Sequence, residues 1–391
     1  MTERSQTAPS TSTNAAGWLS LVKSRSLRMV FVLLGLWAVL AIHPETRDAF
    51  LTAGNFSNLT AQVAEIVIIG VGMTLIVLIR GIDLSVGAGM ALTGVIAAKL
   101  QIDAQQPAIV AVLAGVVAAA LIGLWHGLLV TRFAIPPFIA TLSGFLAYRG
   151  MGLVLSDARG LSPMRDDFAQ LATVLPASIS MGICGLGAVI GLGLLFMQQQ
   201  RRTRFSLPTH DTGSLVLMGA GIVGTSAFFA TIYQRGMPVP VLIAALTTTL
   251  GAVLLGRSRL GRYAVAIGGN SEAARLSGVP VERVTVAIYL LTGVLTALAG
   301  MVATARTNGV TPGNAGVMRE LHVISAVVIG GTSLTGGRAT MVGTVVGALI
   351  FGTLSNGMNL MNINSNWQLI FTGLILLGAS LLDSLSSKKT T

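Results

Sequence analysis

The sequence has little charge, few aromatic rings and almost no cysteine, and each shortage removes a class of protein. Of 391 residues, 10% are charged, 5% are aromatic and one is a cysteine. A lone thiol, Cys184, can form no intrachain disulfide, which excludes a small bridge-stapled secreted scaffold. It reads as a packing residue in an apolar run. His43, His126, His210 and His322 fall in different segments without metal-ligand spacing, so no metal site is expected. The four lysines, Lys23, Lys99, Lys388 and Lys389, do not follow a glycine, so no G-x-x-x-x-G-K-[ST] loop cradles a phosphate. The chain is therefore expected to have no catalytic residues, no bound cofactor and no nucleotide hydrolysis of its own.

What is present is apolar. Hydrophobic residues make up 53% of the chain, and the mean hydropathy is +0.78. That apolar surface exceeds what a water-facing globule carries, so the lipid bilayer is the expected environment. The runs suit spanning helices rich in Gly and Ala; barrel strands would alternate over about ten residues. The net charge of +11 is spread through short loops, not gathered on an aromatic-studded face, so no nucleic-acid partner is expected.

The expected fold is an all-α polytopic membrane bundle. Twelve candidate spans lie near 27–43, 63–79, 84–100, 108–130, 136–155, 180–197, 214–233, 239–256, 283–304, 320–332, 339–361 and 366–383. Those at 84–100, 180–197 and 320–332 are short or glycine-rich, which suits broken or tilted helices. The organisation expected is a polar tail over 1–26, one transmembrane domain over 27–387 and a tail over 388–391. The first apolar run ends in "AIHPETRD", without a small-residue cleavage site, and reads as an uncleaved span.

Alternating the spans from an inside N-terminus leaves only Arg47, Lys99, Arg149, Arg159, Arg165, Arg235, Arg306 and Arg319 outside, of 25 basic residues. By the positive-inside rule both termini are cytoplasmic. Glu65, His126, Arg149, Glu320 and His322 then lie within a turn or two of an interface, where snorkelling accounts for them as well as a proton relay does.

The inside loop 257–282 contains "GGNSEAARLSGVP". Asn270 or Ser271 caps a helix start, Glu272 suits the first turn, Gly278 closes the end and Pro280 forbids continuation. Two turns alone are marginal in water, so a partner or the loop itself must hold them. Ala273 and Ala274 offer a small face, and Glu272 and Arg275 are spaced to pair. A solvated loop helix is the plainer reading.

Three motifs carry a resemblance. "EAARLSG" with Ile288 and Leu290 resembles the EAA loop of bacterial ABC importer permeases: Glu272, Ala273, Ala274, Gly278, Ile288 and Leu290 match, and Leu stands at position 291 where that loop has proline. Together with "GIDLSVG" and "GGTSLTGGRATMVGTVVGALIFGTLSNGMNL", it is similar to the monosaccharide permeases of the ribose and xylose group, relatives of the branched-chain amino-acid permeases. The likeness runs from Asn55 to Asp383, broken over about 180–235, and is strongest to the xylose branch. It implies a ten-span core plus an extra hairpin over 180–235 in the bacterial cytoplasmic membrane. It also implies a second permease chain, an ATP-binding subunit that holds ATP-Mg, and a periplasmic sugar-binding protein. The coupling helix would be Asn270, Ser271, Glu272, Ala273, Ala274, Arg275, Leu276, Ser277 and Gly278. D-xylose is the substrate implied. A branched-chain amino acid or other small solute stays open, as does an ion-coupled secondary transporter.

A sugar path needs dispersed hydrogen-bond partners. Asn356, Asn359 and Asn362 recur every third residue and would share one helical stripe, as path lining or as interhelical glue. Asn308, Asn314, Asn364 and Asn366 fall on the outside, where the resemblance places the binding protein. Gly343 and Gly347 form a GxxxG suited to close packing.

Finally, "VLIRGIDLSVG" (77–87) aligns without gaps to "VVIGGTSLTGG" (327–337), which suggests a parallel internal repeat. Gly81 and Gly87 have counterparts in Gly331 and Gly337, Asp83 in Ser333, and Ser85 in Thr335. Aspartate and serine share helix capping, not charge, so Asp83 is expected to cap a tight turn, with Arg80 as an inside anchor.

Overall fold

A computed structural model describes residues 25–205 and 212–388. Most of the polar tail, the connection 206–211 with His210, and residues 389–391 lie outside the described residues. Helices follow in the order α1 (Arg25–Ile42), α2 (Arg47–Phe50), α3 (Ala53–Leu78), α4 (Val86–Ile102), α5 (Ala108–Thr131), α6 (Pro137–Leu155), α7 (Asp166–Ala169) and α8 (Ala177–Arg204). Then come α9 (Thr212–Ile232), α10 (Val239–Arg257), α11 (Arg259–Gly269), α12 (Ser271–Leu276), α13 (Val281–Arg306), α14 (Arg319–Ile329), α15 (Met341–Leu360) and α16 (Ser365–Lys388). Among the described residues, β-pairing is confined to two isolated bridges, Leu161 with Val310 and Val174 with Pro238. The architecture is all-α.

Each of the twelve apolar runs contains a helix. Seven of these helices are long and apolar enough to cross a membrane, and Arg28–Ile42, Val86–Ile102 and Met218–Ile232 are shorter apolar stretches. The helix α3 sits at the centre, packed against α10, α13, α14 and α15. Its apolar window is 89% buried, against 11% for α8 and 22% for α5, so α3 is core and the others present side chains to lipid.

Two boundaries differ from the sequence reading in an informative way. Helix α3 begins at Ala53, ten residues before the expected span, because the Thr52 hydroxyl accepts a hydrogen bond from the Asn55 amide at 3.2 Å and caps the first turn. Asn55, Ser57, Asn58, Thr60 and Gln62 dilute the apolar signal there, although Phe56 and Leu59 are buried. In the other case, α14 has 11 residues and spans roughly 17 Å, about half of a bilayer core. It starts beside Glu65, halfway along α3, and the loop 307–318 supplies the remaining reach. Irregular backbone at such depth is tolerated where it lines a cavity, as this loop does.

The pair α8 and α9 forms the hairpin expected over 180–235. It joins the core through the Tyr233 hydroxyl, which donates to Thr60 Oγ1 at 2.9 Å, and through Ser180 Oγ, which accepts from the Met237 amide at 2.8 Å. Buried Cys184 packs in the same layer. The GxxxG residues do pack closely: a Cβ on Gly347 would lie 2.0 Å from the Ala326 carbonyl oxygen, so α14 and α15 touch backbone to backbone.

Candidate functional site

Three polar features stand out of this apolar bundle. The first is the exposed loop at one end. Asn270 adopts an extended conformation, and its side chain accepts from the Ala273 amide at 3.0 Å, capping α12. Gly278, at φ +81°, closes the helix, with its amide bonded to Arg275 and the Val279 amide to the Ala274 carbonyl. Ala274 alone is buried; Ser271, Glu272, Ala273, Arg275 and Ser277 face outward, and Leu276 is 81% exposed. Glu272 and Arg275, spaced to pair, do not: no ion pair joins them among the described residues.

What holds this loop is Arg80, at φ +64° in the turn after α3. Its Nε donates to the Gly268 carbonyl at 2.8 Å and its Nη2 to the Gly269 carbonyl at 2.6 Å, the last two residues of α11. A guanidinium fork on the free carbonyls of a helix end suits both hydrogen bonding and the helix dipole. The two repeated turns meet at the same place: the Gly337 amide donates to the Leu78 carbonyl at 3.0 Å, and a Cβ on Gly268 would lie 1.9 Å from that oxygen. Arg80 is thus more than an inside anchor. It ties the loop to the first helix break, and the Gly337–Leu78 bond joins the second break to the first.

The second feature lies in the break between α3 and α4. Buried Asp83 accepts at Oδ1 from the Ser85 amide (2.8 Å) and from Ser85 Oγ (2.6 Å), closing an Asx-type turn ahead of α4. Ser85 Oγ lies 3.4 Å from His126 Nδ1, and His126 Nε2 lies 3.1 Å from the Tyr148 hydroxyl. With the one Ser85 proton on Asp83, the tautomer assigned from this network has Nδ1–H facing Ser85 Oγ and Nε2 accepting from Tyr148. Serine, histidine and aspartate here do not form a nucleophile: the serine proton points to the acid, not to the imidazole.

The second copy is built differently. Ser333 Oγ and Thr335 Oγ1 are 2.8 Å apart, echoing Asp83 and Ser85, yet Ser333 does not cap a helix. Thr340 is the N-cap of α15, because the loop after α14 runs on to that residue. The shared capping role expected of Asp83 and Ser333 is corrected accordingly. Gly81, Gly331 and Gly337 lie in the turns, with Gly331 and Gly337 at positive φ. Gly87 does not: it is inside α4, where a Cβ would lie 2.3 Å from the Gly316 carbonyl oxygen.

The third feature was not foreseen. At the opposite end from α12, a cavity of about 360 Å³ opens between α3, α4, α13 and α14, roofed by the paired loops around Leu161 and Val310. In its wall the fully buried Glu65 carboxylate meets Arg306 Nε at 2.8 Å and Arg319 Nη2 at 3.0 Å. Arg149 Nη1 donates to the Pro312 and Ala315 carbonyls, both at 2.7 Å, and pins the loop that roofs the cavity. Snorkelling to an interface therefore does not describe Glu65, His126 or Glu320, all of which are buried.

The asparagine stripe does not line this cavity. Asn356 and Asn55 exchange two amide hydrogen bonds, at 3.0 and 2.8 Å, joining α15 to α3. Asn359 Oδ1 accepts from Gln368 Nε2 at 2.8 Å. Asn362 lies past the end of α15 with φ +52°, off any helical stripe. Of the asparagines expected outside, Asn314 lines the cavity, and Asn308 accepts from the Met164 amide at 3.1 Å.

Comparison with known proteins adds an independent line. A profile of the family described as the branched-chain amino acid transport system permease component matches residues 55–380. The xylose transport system permease protein XylH of Escherichia coli K12 is 36% identical over 379 residues, covering 96% of each chain. That of Haemophilus influenzae Rd is 36% identical over 94% of this chain and 99% of its own. The ribose import permease protein RbsC of Bacillus subtilis 168 is 36% identical over 90% of this chain and 91% of its own. No solved structure matches the chain.

Proposed function

The chain belongs to the branched-chain amino acid transport system permease family, and from that membership we propose that it is the membrane subunit of an ATP-driven monosaccharide importer. D-xylose is the favoured substrate: the xylose relatives match 96% and 94% of this chain, the ribose relative of Bacillus subtilis 90% at similar identity. The family's own description keeps a branched-chain amino acid as the second reading. The work would be shared among two copies of this chain, an ATP-binding subunit that holds ATP-Mg, and a periplasmic sugar-binding protein. The setting is the bacterial cytoplasmic membrane, with both termini and α12 on the cytoplasmic side.

The observation that carries this reading is the geometry of α12. A six-residue helix cannot stand alone in water, yet this one is capped at both ends, fixed from behind through Ala274, and presents an exposed leucine. That is the shape of a docking element. ATP binding closes the partner, α12 moves, and Arg80 with the Gly337–Leu78 bond carries the movement to the two helix breaks, so that the bundle opens to the other side. Glu65 does not favour ion coupling, because two guanidinium groups already engage it.

The test is to replace Leu276→Arg in one variant and Glu272 with Arg275 together in another. Both co-purification of the ATPase subunit and ATP-driven xylose uptake should fall. Unchanged association and uptake in both variants would remove α12 from the mechanism.

A further inference from the structure

We propose that an anionic phospholipid of the inner leaflet joins the α8–α9 hairpin to the core, with one acyl chain in the apolar groove behind the hairpin and its headgroup on arginines at the inner end of that groove. This goes beyond the transport reading and is independent of which solute the chain moves. It takes from that reading only the cytoplasmic position of α12.

The contacts that fasten the hairpin gather at its outer end. There Tyr233 donates to Thr60, Ser180 accepts from the Met237 amide, and the Phe228 ring centre lies 5.5 Å from that of Trp37 and 5.6 Å from that of Phe56. Farther in, a Cβ placed on Gly185, Gly187 or Gly193 of α8, or on Gly221 or Gly224 of α9, would meet no atom within 4 Å. These glycines do not bring helices together as Gly347 does.

The space left is apolar and continuous. A cavity of about 450 Å³ lies between the hairpin and α3, α10 and α15, walled by side chains such as Val63, Val67, Phe229, Val241 and Leu349. Its lining residues Gly187, Thr225 and Ser226 also border a second cavity, of about 670 Å³, that follows α8 and α9 inward to Gln198. From Ile183 to Gln198 the groove runs along α8 for about 22 Å, more than the roughly 15 Å of hydrocarbon in one leaflet. That is room for a whole acyl chain, and an apolar slot at bilayer depth takes hydrocarbon in preference to water.

Charge at the inner end names the headgroup. Gln198 stands one turn before the arginines that close α8, and α10, the facing wall, ends at Arg257 with Arg259 and Arg262 following in α11. Arg201, Arg204, Arg257, Arg259 and Arg262 are exposed, and none of them joins an ion pair among the described residues. Asp211 is the only acid between positions 168 and 271. Such a basic rim on the cytoplasmic side attracts the anionic lipids of that leaflet. A second copy of the chain seated here about a two-fold axis along the membrane normal would instead set these arginines against their own counterparts.

The experiment is native mass spectrometry of the permease–ATPase complex, delipidated in detergent and titrated with phosphatidylglycerol or with phosphatidylethanolamine. Wild type should retain one phosphatidylglycerol per permease chain, roughly tenfold more tightly than phosphatidylethanolamine. Gly187→Leu, which enters open space and raises helix propensity, should keep the complex intact and abolish retention of both lipids. Arg201→Gln, Arg204→Gln and Arg257→Gln together should erase the preference between them. Equal retention of the two lipids by wild type, or undiminished phosphatidylglycerol in Gly187→Leu, would overturn the proposal. Loss of paired permease chains in Gly187→Leu with lipid still bound would overturn it too, and would make the groove an interface between copies.

Discussion

Arg80 and Gly268 are 188 residues apart and joined by one hydrogen bond, Nε to carbonyl oxygen, at 2.8 Å. With the second bond, to Gly269, this contact fixes the end of α11 directly ahead of the α12 cap. Arg80→Ala should leave the ATPase subunit bound but uncouple it, with xylose uptake down about tenfold for a loss near 1.4 kcal/mol. Arg80→Lys should recover only part, since an ammonium lacks the planar fork. The measurement is sugar moved per ATP hydrolysed in proteoliposomes; a ratio equal to wild type in Arg80→Ala would contradict the role.

Asp83 makes a different demand. Its carboxylate satisfies the Ser85 amide and hydroxyl in a buried turn. Asp83→Ala should destabilise the protein by about 1 to 3 kcal/mol, whereas Asp83→Asn, which keeps an acceptor oxygen, should lose less. Thermal melting of the purified chain in detergent reads both. Equal melting temperatures for the two variants would show that the acceptor is not what matters.

The Glu65 cluster is an ion triad with one fully buried member. Glu65→Gln leaves two guanidinium groups without their acid. Arg306 and Arg319 keep 31% and 22% side-chain exposure, which screens the loss. The expected destabilisation is about 2 to 4 kcal/mol, and adding Arg306→Gln should recover part of it. Strict additivity of the two substitutions in a double-mutant cycle would show that the pair is not coupled.

These relationships mark where the sequence is legible and where it is not. Local features read directly: Asn270 caps α12 and Gly278 closes it, because cap and partner lie within four residues. Apolar runs gave the helices, since lipid and core both demand them. The start of α3 was hidden because Asn55 and Thr60 find their partners on α15 and in Tyr233. Glu65 and Arg306 are 241 residues apart, and nothing in either neighbourhood signals the other. Asn362 failed as a stripe member for a local reason: α15 ends two residues before it.

Asp167, in the short helix α7 beside the start of α5, gives a pH signature. The Ala108 amide, donating to Oδ2 at 2.8 Å, is the main cause holding its carboxyl below the ordinary value of 3.8, and Arg165 adds to it. A depressed folded value means the contribution to stability is present above that ordinary value and is lost as pH falls below it. Asp167→Asn should flatten the acid limb of the melting-temperature profile there and leave the neutral limb unchanged. An identical acid limb in wild type and variant would remove this contact from the account.

The central claim is that this chain moves a monosaccharide only as part of an ATP-driven assembly. Proteoliposomes holding the chain with its ATPase subunit, binding protein outside and ATP on the ATPase side, should accumulate labelled D-xylose. The lone chain should accumulate none under a proton or sodium gradient. Gradient-driven accumulation by the lone chain, without ATP or partner, would contradict the account.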